Sequence, residues 1–469
     1  MDEHRGLTAG WVAKWEAEPR LLLDWLDSSF PALSTEAMLE GSSRGAGVFA
    51  ALGLSRGDRV AWVASSDSEA LLALISLLRL GCVICPINPG LPARELFEIL
   101  DDFQPDALVG SPQARFDLPA NIEAYPYASA VAPVACTLDQ SHGEEPVMVV
   151  YSSGTTGKPK GIMHSHRSLL AGQNMVASSW SWQQDQLFLC LPLFHVHGLV
   201  VGLMGALASS GGALLAARFS PELLGEAAHR GASMFFGVPT MYHRLLEAGL
   251  ASDLAHYRLI VSGSAPLTQA MSEAVMQASG QIPLERYGMT ETLLTVTNPL
   301  HGERRPGAIG LPFPGVEIRV DDDEELWVKT PALSSGIWAT ANTATLDYRD
   351  WFATGDLAAL GPDGYVTLQG RRSDLIITGG FNVYPAEIEA VISQEPSVVE
   401  VAVIGVADSD LGQKIVAFVV SSEAADCVER VQALCARELS RHKQPRAVVI
   451  LDQLPRNAMG KVLRRELSS

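Results

Sequence analysis

Short apolar runs alternate with helix-length segments from residue 58 to residue 262, and no other feature limits the fold so strongly. Residues 58–64 read as a buried strand, and Asp67 or Ser68 stands where it can cap a following helix over Glu69–Leu80 that is apolar on most faces. Cys82–Ile87 reads as the next strand, Glu95–Phe103 as helix and Ala107–Val109 as a short strand. The rhythm returns at Val147–Tyr151, Leu187–Leu191, Ala213–Ala216, Met234–Gly237 and Leu259–Ser262. Wholly apolar strands must be covered on both faces, and strands joined through helices run parallel. The pattern therefore predicts a large α/β body with parallel sheets.

The texture changes after about residue 312. Val316–Val320, Glu325–Lys329 and Tyr365–Gln369 read as an antiparallel meander, a small barrel-like part, with a turn at Pro362-Asp363-Gly364. From residue 373 the pattern is helix 385–394, strand 399–405, strand 414–421, helix 425–440 and strand 446–451. Two domains follow from this: a large one over 1–372 and a small α+β one over 373–469.

The formal charge is −19, so a partner polyanion such as nucleic acid is not expected, and an anionic substrate needs a local cationic site. Cys82 and Cys85 form a CxxC, but no second Cys or His pair follows at ligand spacing, and both fit an apolar strand. Sparse cysteines suit a reducing cytoplasm, and the N-terminal residues lack the basic-then-apolar pattern of a signal peptide. The most apolar stretch, Gly198–Ala217, is broken at Ser209-Ser210-Gly211-Gly212 and reads as helix, turn, strand; no membrane segment is expected.

The chemistry is concentrated in Tyr151-Ser152-Ser153-Gly154-Thr155-Thr156-Gly157-Lys158-Pro159-Lys160-Gly161, directly after the apolar strand Val147–Val150. Glycines let the backbone curl and present N–H groups, and hydroxyls and two lysines complete a cradle for a polyanion. The spacing is not that of the common nucleotide loop GxxxxGK[ST].

This segment resembles the phosphate-loop signature of the adenylate-forming superfamily, which includes acyl-CoA synthetases, firefly-luciferase-like enzymes and non-ribosomal adenylation domains. The resemblance continues in order through Arg286–Thr292 (like YGxTE), Thr354-Gly355-Asp356 (like TGD), Gly370–Gly380 and Pro455–Lys461. It implies an enzyme that uses ATP and Mg²⁺ to turn a carboxylic acid into an acyl-AMP and then transfers the acyl group to coenzyme A, acting as a monomer or homodimer. By that resemblance Ser152, Ser153, Gly154, Thr155, Thr156, Gly157, Lys158 and Lys160 hold the β- and γ-phosphates. Thr290 and Glu291 handle the α-phosphate and Mg²⁺. Tyr287, with Gly288 behind it, stacks on adenine, and Ser264, Ala265 and Pro266 line its other edge. Asp356 and Arg371 serve the ribose, and Lys461 reaches from the small domain to the reacting carboxylate. The small domain is expected to rotate about Arg372-Ser373-Asp374, where many relatives carry Asp or Lys instead of Ser373, with Gly379 and Gly380 along the pantetheine path. The lean stretch 321–346 implies a shortened loop around Ser335–Trp338.

For the acid itself, Leu191–Gly198 and Gly237–Arg244, with Glu285-Arg286 before Tyr287, resemble malonyl-CoA and methylmalonyl-CoA synthetases. That implies Arg244 and Arg286 gripping a distal carboxylate, with His195 gating the acyl site; His197 has no assigned role. A buried second carboxylate needs a paired cation, which a guanidinium supplies bidentately. Pairing of Arg286 with Glu285 or Glu303, and a surface position for Arg244, are the structural alternatives. Arg371–Ile377 and Tyr384–Glu389 also resemble o-succinylbenzoate-CoA synthetases. Other readings are a fatty- or aryl-acid ligase, and a stand-alone adenylation enzyme that loads a carrier protein.

Overall fold

The computed structural model describes residues 6–26, 29–110, 122–153, 159–338, 344–408, 411–423, 425–456 and 462–467. Among these, the predicted parallel strands fall into two sheets. One runs Leu311–Pro312, Val296–Thr297, Leu284–Tyr287, Leu259–Ser262, Ala232–Gly237, Gln186–Leu189, Gly212–Leu215, Leu21–Trp25, Leu33–Ser34, parallel except at its two ends. The other runs Ala344–Thr345, Gly336–Trp338, Pro159–Ser165, Pro146–Ser153, Val83–Ile87, Arg59–Val63, Ala107–Val109, Glu123–Tyr125.

Buried side chains of both sheets merge into one apolar cluster, which includes Trp62, Ile84, Val149, Leu187, Phe236 and Leu284. The helix Ser68–Leu80 is buried nearly all round, as its apolar sequence requires, and Asp67 caps it by accepting from the Ala70 N–H. It packs on the helix Thr35–Ala51, where Gly45 is indispensable: a Cβ there would lie 2.2 Å from Ser76 Oγ.

The phosphate loop departs from a simple strand-to-helix reading. The strand Pro159–Ser165 pairs antiparallel with Pro146–Ser153, so the loop closes a hairpin, and the next helix begins only at His166. The polar composition of 158–161 hides that strand from a hydropathy reading. Ser335–Trp338, read as part of a shortened loop, includes a strand, Gly336–Trp338, paired with Gly161–Met163 on one side and Ala344–Thr345 on the other.

The meander is present as Glu317–Val320, Glu325–Lys329, Phe352–Leu360 and Val366–Arg371, antiparallel throughout. After Arg372 the chain builds a separate sheet from Ile376–Thr378, Phe381–Val383, Val398–Asp408, Gly412–Ser421 and Ala447–Ile450, with its own apolar clusters. Among the described residues, no helix is long and apolar enough to cross a membrane.

A largely buried ion pair ties the N-terminal helices together. Arg79 Nη2 lies 3.0 Å from Asp139 Oδ2, and its Nη1 donates to Ser42 Oγ and Leu39 O. Removing one partner of such a pair leaves the other charge desolvated. Asp139→Ala should lower the unfolding free energy by about 3 kcal/mol, read from the urea midpoint.

Candidate functional site

The site grows from the strand Leu284–Tyr287, which is buried along its length. It is the last parallel strand of its sheet; its far neighbour, Val296–Thr297, is antiparallel. The chain between them turns tightly. Gly288 allows this, because a Cβ there would stand 2.0 Å from Leu293 O. Leu293 takes φ 56°, a conformation most side chains avoid. The turn carries Thr290 and Glu291. Its main chain is tied from outside by Ser334 N–H on Glu291 O at 2.7 Å, and by a histidine with no role assigned from sequence, His164, whose Nε2 is 2.9 Å from Thr290 O.

The nucleotide-side residues come together. The Tyr287 hydroxyl donates to Asp356 Oδ2 at 2.5 Å, and Arg371 Nε sits 2.9 Å from Asp356 Oδ1. Asp356 and Arg371 face one another across two antiparallel strands. Burial, with the Asp356 carboxylate beside it, pushes the Tyr287 phenol well above its ordinary value, so it stays a donor. Gly355, at φ 73°, donates its N–H to Glu325 Oε1. Ser264, Ala265 and Pro266 lie at the carboxyl end of Leu259–Ser262, and Ser264 also adopts a left-handed φ of 69°. The buried Glu285 carboxylate accepts from the Leu267 N–H just beyond them, and desolvation raises it to about 7. Of the phosphate loop, the described flanks show Ser152 paired in register with Lys160; Gly154, Thr155, Thr156, Gly157 and Lys158 lie outside the described residues.

Arg286 is enclosed on the other side of the same strand, since successive side chains point to opposite faces. Glu285 does not pair with it, and Glu303 pairs instead with Arg305. Arg286 Nε and Nη2 are buried and have no hydrogen-bond partner among the described residues. Burial lowers the guanidinium to about 10, which still leaves it charged at neutral pH. It lies flat against Gly263, where a Cβ would be 2.5 Å from Nε.

Two histidines stand nearby. His197 is buried, packs on Phe236, and shares a hydrogen bond between Nδ1 and Ser264 Oγ at 3.1 Å. Its Nε2 and that of His195 are buried and have no partner among the described residues. Desolvation holds His195 down to about 4, and desolvation with the Arg286 charge holds His197 well below its ordinary range. Both are neutral. Arg244 is not brought into this group by any hydrogen bond or ion pair: it is exposed on the helix Pro239–Glu247, whose Tyr242 and Leu245 face the core.

Between the two parts of the chain, Ser373 sits in the 3₁₀ turn Arg372–Asp374, and Arg372 pairs with Glu325 and Asp323 of the meander. Gly379 and Gly380 form the tight turn after Ile376–Thr378, at φ 56° and 83°. Lys461 lies outside the described residues.

The AMP-binding enzyme family matches residues 30–338, and the AMP-binding enzyme C-terminal domain matches 387–461. Malonate–CoA ligase of Arabidopsis thaliana is 31% identical over 88% of this chain and 78% of its own. Sulfoacetate–CoA ligase of Cupriavidus necator is 32% identical over 100% and 97%. Long-chain-fatty-acid–CoA ligase of Escherichia coli is 30% identical over 89% and 86%. Among solved structures, ATP-bound MatB from Rhodopseudomonas palustris superposes with a TM-score of 0.89 at 32% identity, covering 98% of this chain and 97% of that one. The o-succinylbenzoate coenzyme A synthetase of Bacillus subtilis, in complex with AMP, gives 0.88 at 26% identity over 98% of each.

The buried histidines set a pH dependence. His164, His166 and His195 are each lowered from 6.5 to about 4 by desolvation. Below pH 6.5 the unfolded chain binds protons that the folded chain does not, so stability falls as pH drops toward 4. Glu285, raised to about 7, and Glu389, raised by burial, act in the opposite sense, but with His197 also lowered the histidines outnumber them. Urea midpoints should therefore decline from pH 6.5 to pH 4, and His195→Asn should flatten the slope by about one proton's worth.

Proposed function

Because the chain belongs to the adenylate-forming AMP-binding enzymes and is an acid–thiol ligase, we propose that it activates a small dicarboxylic acid of the malonate and methylmalonate class. The observation that carries this reading is Arg286: a charged, buried guanidinium with two N–H-bearing nitrogens unsatisfied. Burying such a group alone costs several kcal/mol, and a ligand carboxylate repays it by bidentate hydrogen bonding. His197 and His195, both neutral, add two buried Nε2 atoms without a partner among the described residues as candidate contacts for that second carboxylate. Arg244 is exposed, so the assignment rests on Arg286.

The proposed reaction has two steps. One carboxylate oxygen of the acid attacks the α-phosphorus of ATP, pyrophosphate leaves, and an acyl-AMP forms. The thiol of coenzyme A then attacks the acyl carbon, its proton is lost, and AMP leaves with the electrons of the broken bond. Tyr287, with its hydroxyl held by Asp356, presents its ring to adenine, opposite Ser264–Pro266. Asp356 and Arg371 hold the ribose. The phosphate loop from Ser152 to Lys160 cradles the β- and γ-phosphates. Glu291, whose carboxylate has no partner among the described residues, fits a Mg²⁺ ion that keeps phosphate oxygens and waters as its other ligands. When bound, that ion neutralises phosphate charge. Lys461, carried by the small domain 373–469, offsets the repulsion between carboxylate and α-phosphate. The donor set favours coenzyme A over a carrier protein only through the named relatives, all CoA ligases.

The test is AMP release with ATP, Mg²⁺ and CoA over malonate, methylmalonate, succinate, sulfoacetate, o-succinylbenzoate, acetate, octanoate and benzoate. Malonate or methylmalonate should lead, and Arg286→Ala should lower its kcat/KM by about a hundredfold, equivalent to about 2.7 kcal/mol. An octanoate or benzoate optimum that survives Arg286→Ala would overturn the diacid reading.

A further inference from the structure

His164 belongs to none of the motifs. It lies on the strand Pro159–Ser165, which leaves the phosphate loop, and it is wholly buried. Its ring bridges two partners: Nε2 is 2.9 Å from Thr290 O, and Nδ1 is 3.1 Å from Ser168 Oγ. Desolvation holds it down to about 4, so it is neutral and carries one proton. A carbonyl oxygen can only accept, which places that proton on Nε2. On the other edge of the ring Nδ1 meets Ser168 Oγ, whose hydroxyl also reaches Ser165 O at 3.0 Å.

The bond spans two segments that are far apart in the chain. Thr290 and Glu291 sit in a turn without regular secondary structure, next to a strained Leu293. The peptide group is planar, so anchoring the Thr290 carbonyl fixes the plane that leads into Glu291. Anchoring it to the strand that leaves the phosphate loop ties the two phosphate-handling segments to one frame.

We propose that His164 is a positioning residue for adenylation: its Nε2–H sets the Thr290–Glu291 peptide relative to the phosphate loop, and Ser168, against Nδ1, holds the ring in that orientation. The inference rests on the reading of Thr290 and Glu291 as the α-phosphate and Mg²⁺ residues. It requires no contact between His164 and substrate.

The experiment measures ATP–pyrophosphate exchange with the preferred acid, as kcat and KM for ATP across a Mg²⁺ titration, for the wild type, His164→Leu, His164→Gln and Ser168→Ala. Thermal midpoints and calorimetric ATP binding accompany each. His164→Leu should lower kcat by about thirtyfold or more, the order of effect that a small misplacement causes, with KM for ATP within about threefold. His164→Gln, whose amide N–H can reach the same carbonyl, should recover to within about fivefold, and Ser168→Ala should lose about tenfold at an unchanged midpoint. Wild-type rates in both His164→Leu and Ser168→Ala would overturn the proposal, as would a Gln variant no better than Leu. If the Leu variant does not fold, the Gln and Ser168→Ala results decide on the same criteria. A wild type that exchanges with no acid refutes the functional reading instead, a result distinct from an active wild type with an indifferent His164.

Discussion

Every residue of the strand Leu284–Tyr287 is buried, and three of the four are polar. Inside a protein a polar group must be satisfied by a partner or a ligand. Glu285 meets that demand through the Leu267 N–H, and Tyr287 through Asp356. Arg286 does not meet it within the described chain. One short strand thus sorts the site: one face is saturated and holds its own geometry, and the other is left with donors waiting for an anion.

That difference has a functional reading. On the nucleotide side, Tyr287, Asp356 and Arg371 form a closed chain of hydrogen bonds, anchored across paired strands. Such a network is rigid before ligand arrives, which lowers the ordering cost of binding. On the side proposed for the acid, Arg286, His195 and His197 keep buried atoms unsatisfied among the described residues, where a charge-assisted bond is worth most. The cost of holding that guanidinium dry is borne by a core continuous across both large sheets.

The turn after the strand shows how distant segments are brought to one centre. Thr290 and Glu291 are adjacent in sequence, yet His164 and Ser334 hold their main chain. The hairpin that carries the phosphate loop supplies His164, and the segment just before the strand Gly336–Trp338 supplies Ser334. The small C-terminal part touches this body through polar contacts, among them Tyr384 on Glu324. Contacts of that kind are exchanged at low cost when one body turns against another.

The amino-acid sequence alone determined the α/β body, the meander and the C-terminal sheet. Each rests on local periodicity and turn chemistry, which act over a few residues. The motif residues were legible for the same reason: Tyr151–Gly161 and Arg286–Thr292 are contiguous, and their glycines and hydroxyls mark the backbone directly. Tertiary structure decided the rest. The second strand of the hairpin around the phosphate loop depends on pairing between strands, because its first residues, Pro159-Lys160-Gly161, give no strand signal. That Arg286 is alone, while Glu303 serves Arg305, depends on where separate elements come to rest. Arg244 is exposed because Tyr242 and Leu245 take the core side of its helix, a face that periodicity could have revealed. His164 carried no local signal at all: its partner Thr290 is 126 residues away, and only folding gives a buried imidazole a carbonyl to hold.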